Sequence, residues 1–231
     1  MPIFSDIYLW NDSTPGTGAE NMAVDQLLLE SLDGLPFLRF YSWSEPSVSF
    51  GYFETLAEAK LSFPETDGAL QYIRRWTGGG IVDHRIDLTY TLAIPREHPL
   101  SKLRGAESYR IIHEAVAGAL NAVGVKCDLT SHDSGNAISA CFENPVAYDI
   151  VTPKGEKLAG AGQKRTRYGL LHQGSVVGIS ERELGREQWQ QTFTSLVTEK
   201  AQLWQPEPTW LQKAQNIAQE RYATQKWLEK R

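Results

Sequence analysis

A chain of 231 residues is long enough to bury one sizeable core, and 41% hydrophobic with 22% charged residues is the composition of a soluble globular protein. No run approaches the roughly 18 apolar residues of a membrane span, and the start, Met1-Pro2-Ile3-Phe4-Ser5-Asp6, lacks a basic segment leading into an apolar one. No membrane partner is therefore expected, the chain is placed in the cytoplasm, and a net charge of −5 argues against general nucleic-acid binding, so any anion site must be local.

In chain order, Glu20 to Leu32 carries Met22, Ala23, Leu27, Leu28 and Leu32 at helical spacing and predicts a buried-face helix. Leu38–Trp43 and Ser47–Tyr52, separated by Glu45-Pro46, read as paired strands; Glu54–Lys60 reads as a short helix and Asp67-Gly68 as a turn. Glu107 to Val123 has an apolar stripe from Ile111 to Val123 that Gly124 ends, a second helix. Val125–Leu129 is a short strand holding Cys127, and the polar stretch Thr130–Ala137 is a loop. Ala147–Val151, Lys157–Gln163 and Leu170–Val177 form a meander whose first turn is Pro153-Lys154-Gly155. Ser180-Glu181-Arg182-Glu183 matches a capping box opening a helix towards Val197, and Trp210–Trp227 is a last amphipathic helix after Pro206 and Pro208. Strands and helices mix without βαβ alternation, so the expected fold is α+β, a mixed and largely antiparallel sheet covered by helices, as one domain over residues 1–231.

Between Tyr72 and Tyr90, Arg74 and Arg75 lead into Gly78, Gly79 and Gly80, followed by His84. Without a Cβ, three glycines permit positive φ and let a ligand approach the backbone. Alone they fit an ordinary hairpin turn equally well; the arginine pair and His84 tip the reading towards binding. Neither a Walker loop nor a dinucleotide fingerprint is present. Gly160, Gly162 and Gly169 leave a second segment with little side-chain bulk, as an edge lying against an elongated ligand would have, with Lys164, Arg165 and Arg167 adding positive charge beside it.

Of two cysteines, Cys127 sits in an ordinary strand pattern and reads as a small buried apolar residue. Cys141, in Ala140-Cys141-Phe142-Glu143-Asn144-Pro145, lies at a loop-to-strand junction, and a thiol is nucleophilic only as thiolate, which calls for a positive neighbour. Lys157 is the candidate, brought back towards Cys141 if the Pro153–Gly155 turn closes a hairpin. A reducing cytosol disfavours a disulfide between the cysteines, and no Cys/His spacing suggests a metal.

These motifs together, Arg74-Arg75-x-Thr77-Gly78-Gly79-Gly80-x-Val82-x-His84, Lys157-x-x-Gly160-x-x-Gln163-x-Arg165 and His172-x-Gly174-Ser175, resemble the lipoate-protein ligase A and octanoyltransferase family. Gly18-Ala19-Glu20-Asn21-Met22-Ala23 and Leu38-Arg39-Phe40-Tyr41-Ser42-Trp43 are similar to it as well. The resemblance implies a biotin/lipoate protein ligase-type catalytic domain with the class II synthetase-like fold. Ala140-Cys141-Phe142-Glu143-x-Pro145-x-x-Tyr148-Asp149 is closest to the cysteine-dependent octanoyltransferases of the LipM type. For those, it implies Cys141 as nucleophile and Lys157 as its activator, with a substrate site formed by Arg74, Arg75, Thr77, Gly78, Gly79, Gly80, His84, Gly160, Gln163, His172 and Gly174.

The implied reaction moves an octanoyl group from octanoyl-acyl carrier protein to a lysine of a lipoyl-accepting protein, a glycine-cleavage H protein or an E2 subunit, without a cofactor; a monomer is the default expectation. An ATP- and magnesium-dependent lipoate-protein ligase and a LipL-type amidotransferase between lipoyl proteins remain open. The sequence departs from the family where Gly162 replaces the usual alanine before the glutamine and where the Pro153–Gly155 turn is slightly long.

Overall fold

Thr17 sets the first helix: its hydroxyl accepts from the Glu20 amide while the Glu20 carboxylate returns to the Thr17 amide, a capping box that opens α1 (Gly18–Glu30). The computed structural model describes residues 1–64, 70–130, 146–179 and 183–230. Before α1 runs β1 (Phe4–Asn11); after it come β2 (Phe37–Tyr41), β3 (Ser47–Phe50), α2 (Leu56–Ser62), β4 (Gln71–Arg74), β5 (Ile81–Asp83) and β6 (Leu88–Pro95). The chain continues through α3 (Pro99–Lys102), α4 (Gly105–Ala122), β7 (Asp128–Leu129), β8 (Ile150–Val151), β9 (Lys157–Arg165) and β10 (Gly169–Val176). It finishes with α5 (Glu183–Val197), β11 (Thr198–Leu203), α6 (Pro208–Ile217), a π-helical turn at Ala218–Tyr222 and α7 (Gln225–Leu228).

Among the described residues, eight strands form one sheet in the order β11-β1-β2-β6-β10-β9-β8-β7, and β4-β3-β5 form a second. In the large sheet β1 runs parallel to β11 and β2, and every other pairing is antiparallel. Side-chain alternation gives this sheet two buried faces. Leu38, Phe40, Leu92 and Leu170 pack on Ile112, Val116, Trp189 and Phe193 of α4 and α5, whereas Phe37, Ala93 and Leu171 pack on Val24, Leu28 and Ala214 of α1 and α6. The small sheet lies on the α1 side, where Ile73 meets Met22.

The α+β class, the two helices α1 and α4 and the meander β8-β9-β10 follow the sequence reading. Three expectations are corrected. Leu38–Trp43 and Ser47–Tyr52 are not a pair: β2 joins β1 and β6 in the large sheet while β3 is the centre of the small one, so the chain changes sheet at Glu45-Pro46. Gly78–Gly80 are not a hairpin turn, because β4 and β5 flank β3 on opposite sides and the loop must pass over the end of β3, where Gly51 N donates to Gly80 O (3.1 Å) and Tyr52 N to Thr77 O (2.9 Å). Trp210–Trp227 is not one helix: α6 gives way to the π turn, where Arg221 and the Tyr222 hydroxyl both donate to Gln26 Oε1 on α1 (2.9 Å each). The Asp67-Gly68 turn, the Ser180–Arg182 part of the capping box and nearly all of the loop expected at Thr130–Ala137 lie outside the described residues. No helix among the described residues is long and apolar enough to cross a membrane.

Candidate active site

A cleft opens between the two sheets. Ser49, Arg75, Gly79, Gly80 and His84 line it from the small sheet and its loop; Lys157, Gly160, Gly162, Gln173 and Gly174 line it from β9 and β10, with Tyr41, Trp43 and Met22 completing the wall. Strand pairing explains the β9 side: β8 covers β9 only as far as Ala159, so from Gly160 onward the glycine loop lies beside β9, with Gly78 N donating to Gln163 O at 3.4 Å.

A buried polar chain runs along the cleft. Arg75 Nη1 donates to Ser49 Oγ (2.6 Å), which lies 2.6 Å from His84 Nε2. His84 Nδ1 is 2.7 Å from Asp87 Oδ2, the oxygen that also accepts from Ser175 Oγ at 2.6 Å. Trp43 stacks on the His84 ring at 3.9 Å and donates its Nε1 proton to Thr89 Oγ1, which in turn donates to Asp87. The imidazole is thus held from both ring nitrogens, by the Asp87 carboxylate at Nδ1 and the Ser49 hydroxyl at Nε2. The second nitrogen of Arg75 donates to Gly80 O at 2.7 Å, so the same guanidinium that anchors the chain also holds the glycine loop.

Lys157 enters from the first residue of β9. Its Nζ lies 2.7 Å from Asp149 Oδ2, and the two side chains are 8% and 0% exposed. Asp149 is further held by the Tyr109 hydroxyl, which itself accepts from Ala161 N at 2.9 Å. A Cβ on Gly160 would lie 2.8 Å from Lys157 Nζ, so the missing side chain makes room for the ammonium. Val146 N donates to Asp149 Oδ2 (2.9 Å) and Thr130 N to Asp149 O (2.8 Å). Both ends of the segment that contains Cys141 are thus anchored on Asp149; Cys141 itself lies outside the described residues.

The remaining expected residues divide. Thr77 is buried behind the loop and donates to Gln173 Oε1 (2.8 Å), whose amide donates to buried Asp25 (2.7 Å). Arg74 points away from the cleft: its guanidinium donates to the carbonyls of Tyr52, Glu54, Trp227 and Leu228 and ties α7 to the segment that follows β3. Gln163 and His172 lie on the opposite face of the sheet, under α4, where Gln163 Nε2 meets His172 Nδ1 (3.0 Å) and His172 Nε2 meets the Tyr90 hydroxyl (3.1 Å). Burial drives the His172 pKa well below its ordinary value, so it stays neutral there. Gly169 serves β10 rather than the cleft, since a Cβ would lie 2.0 Å from Ile94 O. Sequence reasoning gave no role to Ser49, Asp87, Gln173 or Asp149; a carboxylate three residues after His84 was the available signal for Asp87.

Residues 17–219 match the lipoyl protein ligase A/B catalytic domain model. The chain belongs to that family. Among curated relatives it is 37% identical over 168 residues to octanoyltransferase LipM of Carboxydothermus hydrogenoformans, covering 70% of this chain and 61% of the relative. It is 36% identical over 164 residues to octanoyltransferase LipM of Moorella thermoacetica, covering 68% of this chain and 60% of the relative. The chain thus spans about three fifths of the length of these relatives. Among solved structures, the Thermoplasma acidophilum structure described as a bi-partite lipoate protein ligase and its E2 lipoyl domain superposes with a TM-score of 0.71 at 18% identity, over 97% of this chain and 96% of that one. The likeness runs over nearly the whole of both chains and is one of fold.

Proposed function

We propose that this chain is a cytoplasmic octanoyltransferase that takes an octanoyl group from acyl carrier protein onto Cys141 and passes it to a lysine of a lipoyl-accepting domain. The observation that carries the reading is the Lys157–Asp149 pair on the cleft wall, with both ends of the Cys141 segment hydrogen-bonded to the same aspartate. The octanoyltransferase relatives support it.

In this reading the Cys141 thiolate adds to the thioester carbonyl, the C–S bond to the carrier breaks, and the carrier thiolate leaves and takes up a proton. The octanoyl group now rests on Cys141 as a thioester. The neutral ε-amine of the acceptor lysine attacks that carbonyl, the Cys141 C–S bond breaks, and the proton lost by the amine goes to the departing thiolate. Lys157 supplies the positive charge that favours the thiolate and the oxyanion of each tetrahedral intermediate. Exchange of one thioester for another is close to isoenergetic and the final amide is more stable, so transfer calls for neither ATP nor metal. The glycine loop, with no side chains, lets the acyl chain lie against backbone.

Intact-mass spectrometry after incubation with octanoyl-acyl carrier protein and no ATP tests the proposal. A hydroxylamine-labile octanoyl adduct is expected on the wild type and not on Cys141→Ala. An acceptor domain modified only when ATP and free lipoate are supplied, with no adduct on either protein, would replace the proposal with a ligase; an adduct formed only from an octanoylated protein domain would point to an amidotransferase.

A further inference from the structure

His113 is wholly buried on α4 and plays no part in the acyl-transfer steps. It donates from Nδ1 to the carbonyl of Tyr148 (2.7 Å), the residue immediately before Asp149. Tyr148 has a φ of 71°, and among the described residues no other residue with a side chain has a positive φ. The left-handed region is unfavourable for a residue with a Cβ, and a bulky one stays there only where its surroundings hold it. Both peptide groups flanking Tyr148 are held: its N–H donates to Thr130 O at 2.8 Å, and its C=O accepts from His113.

The turn that Tyr148 shapes carries the aspartate that pairs with Lys157. Asp149 N donates to Val146 O (3.0 Å), and Val146 N donates to Asp149 Oδ2 (2.9 Å), the oxygen that meets Lys157 Nζ at 2.7 Å. The two bonds between Val146 and Asp149 lie within the turn and move with it. Helix α4 grips the turn from outside at two points one helical turn apart, Tyr109 at the Asp149 carboxylate and His113 at the Tyr148 carbonyl, with their ring centroids 3.9 Å apart. We propose that His113 is a positioning residue for the Lys157–Asp149 pair, holding Tyr148 left-handed so that the Asp149 carboxylate faces Lys157. The inference rests on the reading of Lys157 as the activating cation. Without the His113 donor, one of the two bonds that oppose relaxation of Tyr148 to negative φ is gone, and that relaxation reorients the peptide leading into Asp149.

The test compares wild type with His113→Phe, His113→Asn and the double variant carrying His113→Phe and Tyr148→Gly. Asparagine places an amide donor near the position of Nδ1, and glycine adopts the left-handed conformation without strain. Two readouts are taken: single-turnover acylation by octanoyl-acyl carrier protein, and labelling of Lys157 by trace acetic anhydride, which needs neither acyl donor nor cysteine. His113→Phe should acylate about tenfold more slowly and label Lys157 about tenfold faster, the population change expected when the left-handed penalty is no longer opposed. The two other variants should return both readouts to within about threefold of wild type. Glycine at position 148 cannot repair lost packing under α4, so its rescue separates positioning from a merely structural role. Wild-type readouts in His113→Phe, or a defect that persists in either rescue variant, overturn the inference. If thermal unfolding shows that His113→Phe does not fold, His113→Gln, whose amide falls near Nε2 instead of Nδ1, takes its place. A wild type that is not acylated at all would sink the transferase reading, while the labelling of Lys157 still decides the role of His113.

Discussion

Lys157 Nζ and Asp149 Oδ2 form an ion pair at 2.7 Å that is almost wholly removed from solvent. Such pairs are costly to assemble and more costly to break, because a lone buried charge has nothing to replace its lost hydration. Asp149→Asn keeps the shape, removes the charge and puts an amide donor against the Tyr109 hydroxyl or the Val146 amide. The expected loss is about 3 kcal/mol of stability in urea unfolding, together with loss of single-turnover acylation. Adding Lys157→Met should restore most of the stability and none of the acylation. Equal stability of the single and double variants would show that the pair contributes little.

The two adjacent arginines are expected to separate. Arg74→Ala strands two backbone carbonyls of α7 and two that follow β3, at about 2–3 kcal/mol, and should speed proteolysis within residues 221–230 while leaving saturated turnover within a fewfold of wild type. Arg75→Ala frees both Ser49 and the Gly80 carbonyl in the cleft, and a misplacement of this size costs on the order of 100-fold in turnover. Limited proteolysis and steady-state kinetics on the two variants decide it; indistinguishable profiles would contradict the placement.

His113 supplies a pH dependence. Its Nδ1 proton goes to Tyr148 O at 2.7 Å, its Nε2 has no hydrogen-bond partner among the described residues, and burial lowers its pKa to about 4. The folded state therefore binds this proton more weakly than the unfolded chain, whose histidine titrates near 6.5. Stability is full above the unfolded value and declines as pH falls from about 6.5 towards 4, by roughly 3 kcal/mol for this group. Denaturation midpoints measured from pH 7 to pH 4.5 should fall in the wild type and fall less in His113→Phe. His172, shifted the same way, adds to the slope in both proteins.

Cys127 is the internal control for cysteine chemistry. It is 4% exposed, and burial pushes its thiol up to about 11, leaving on the order of one thiolate in a thousand at pH 8. Brief iodoacetamide treatment of the native protein should leave Cys127 unmodified in peptide mass spectrometry, and Cys127→Ser should transfer octanoyl groups at the wild-type rate. Rapid labelling of Cys127 would contradict its burial.

Much of the chemistry was legible along the chain because it is written in short, ordered segments. The lysine that opens the strand carrying Gly160 and Gly162 and the period of α1 and α4 are local properties and stand where the sequence put them, whereas the turn expected at Gly78–Gly80 does not. What lies across the chain was not legible. β1 and β11 pair although Phe4 and Thr198 are nearly two hundred residues apart, and Arg74 reaches the carbonyl of Trp227, 153 positions away.

The face of a strand was the hardest question. Gly162 and Gln163 are neighbours, yet a period of two sends one into the cleft and the other under α4, as it does Gln173 and His172 on the paired strand. Residue order alone singled out Lys157, His84 and the glycines as candidate groups. Only the tertiary structure decided which of them meet, because both faces of the large sheet are covered by helices and both therefore look equally buried in the sequence.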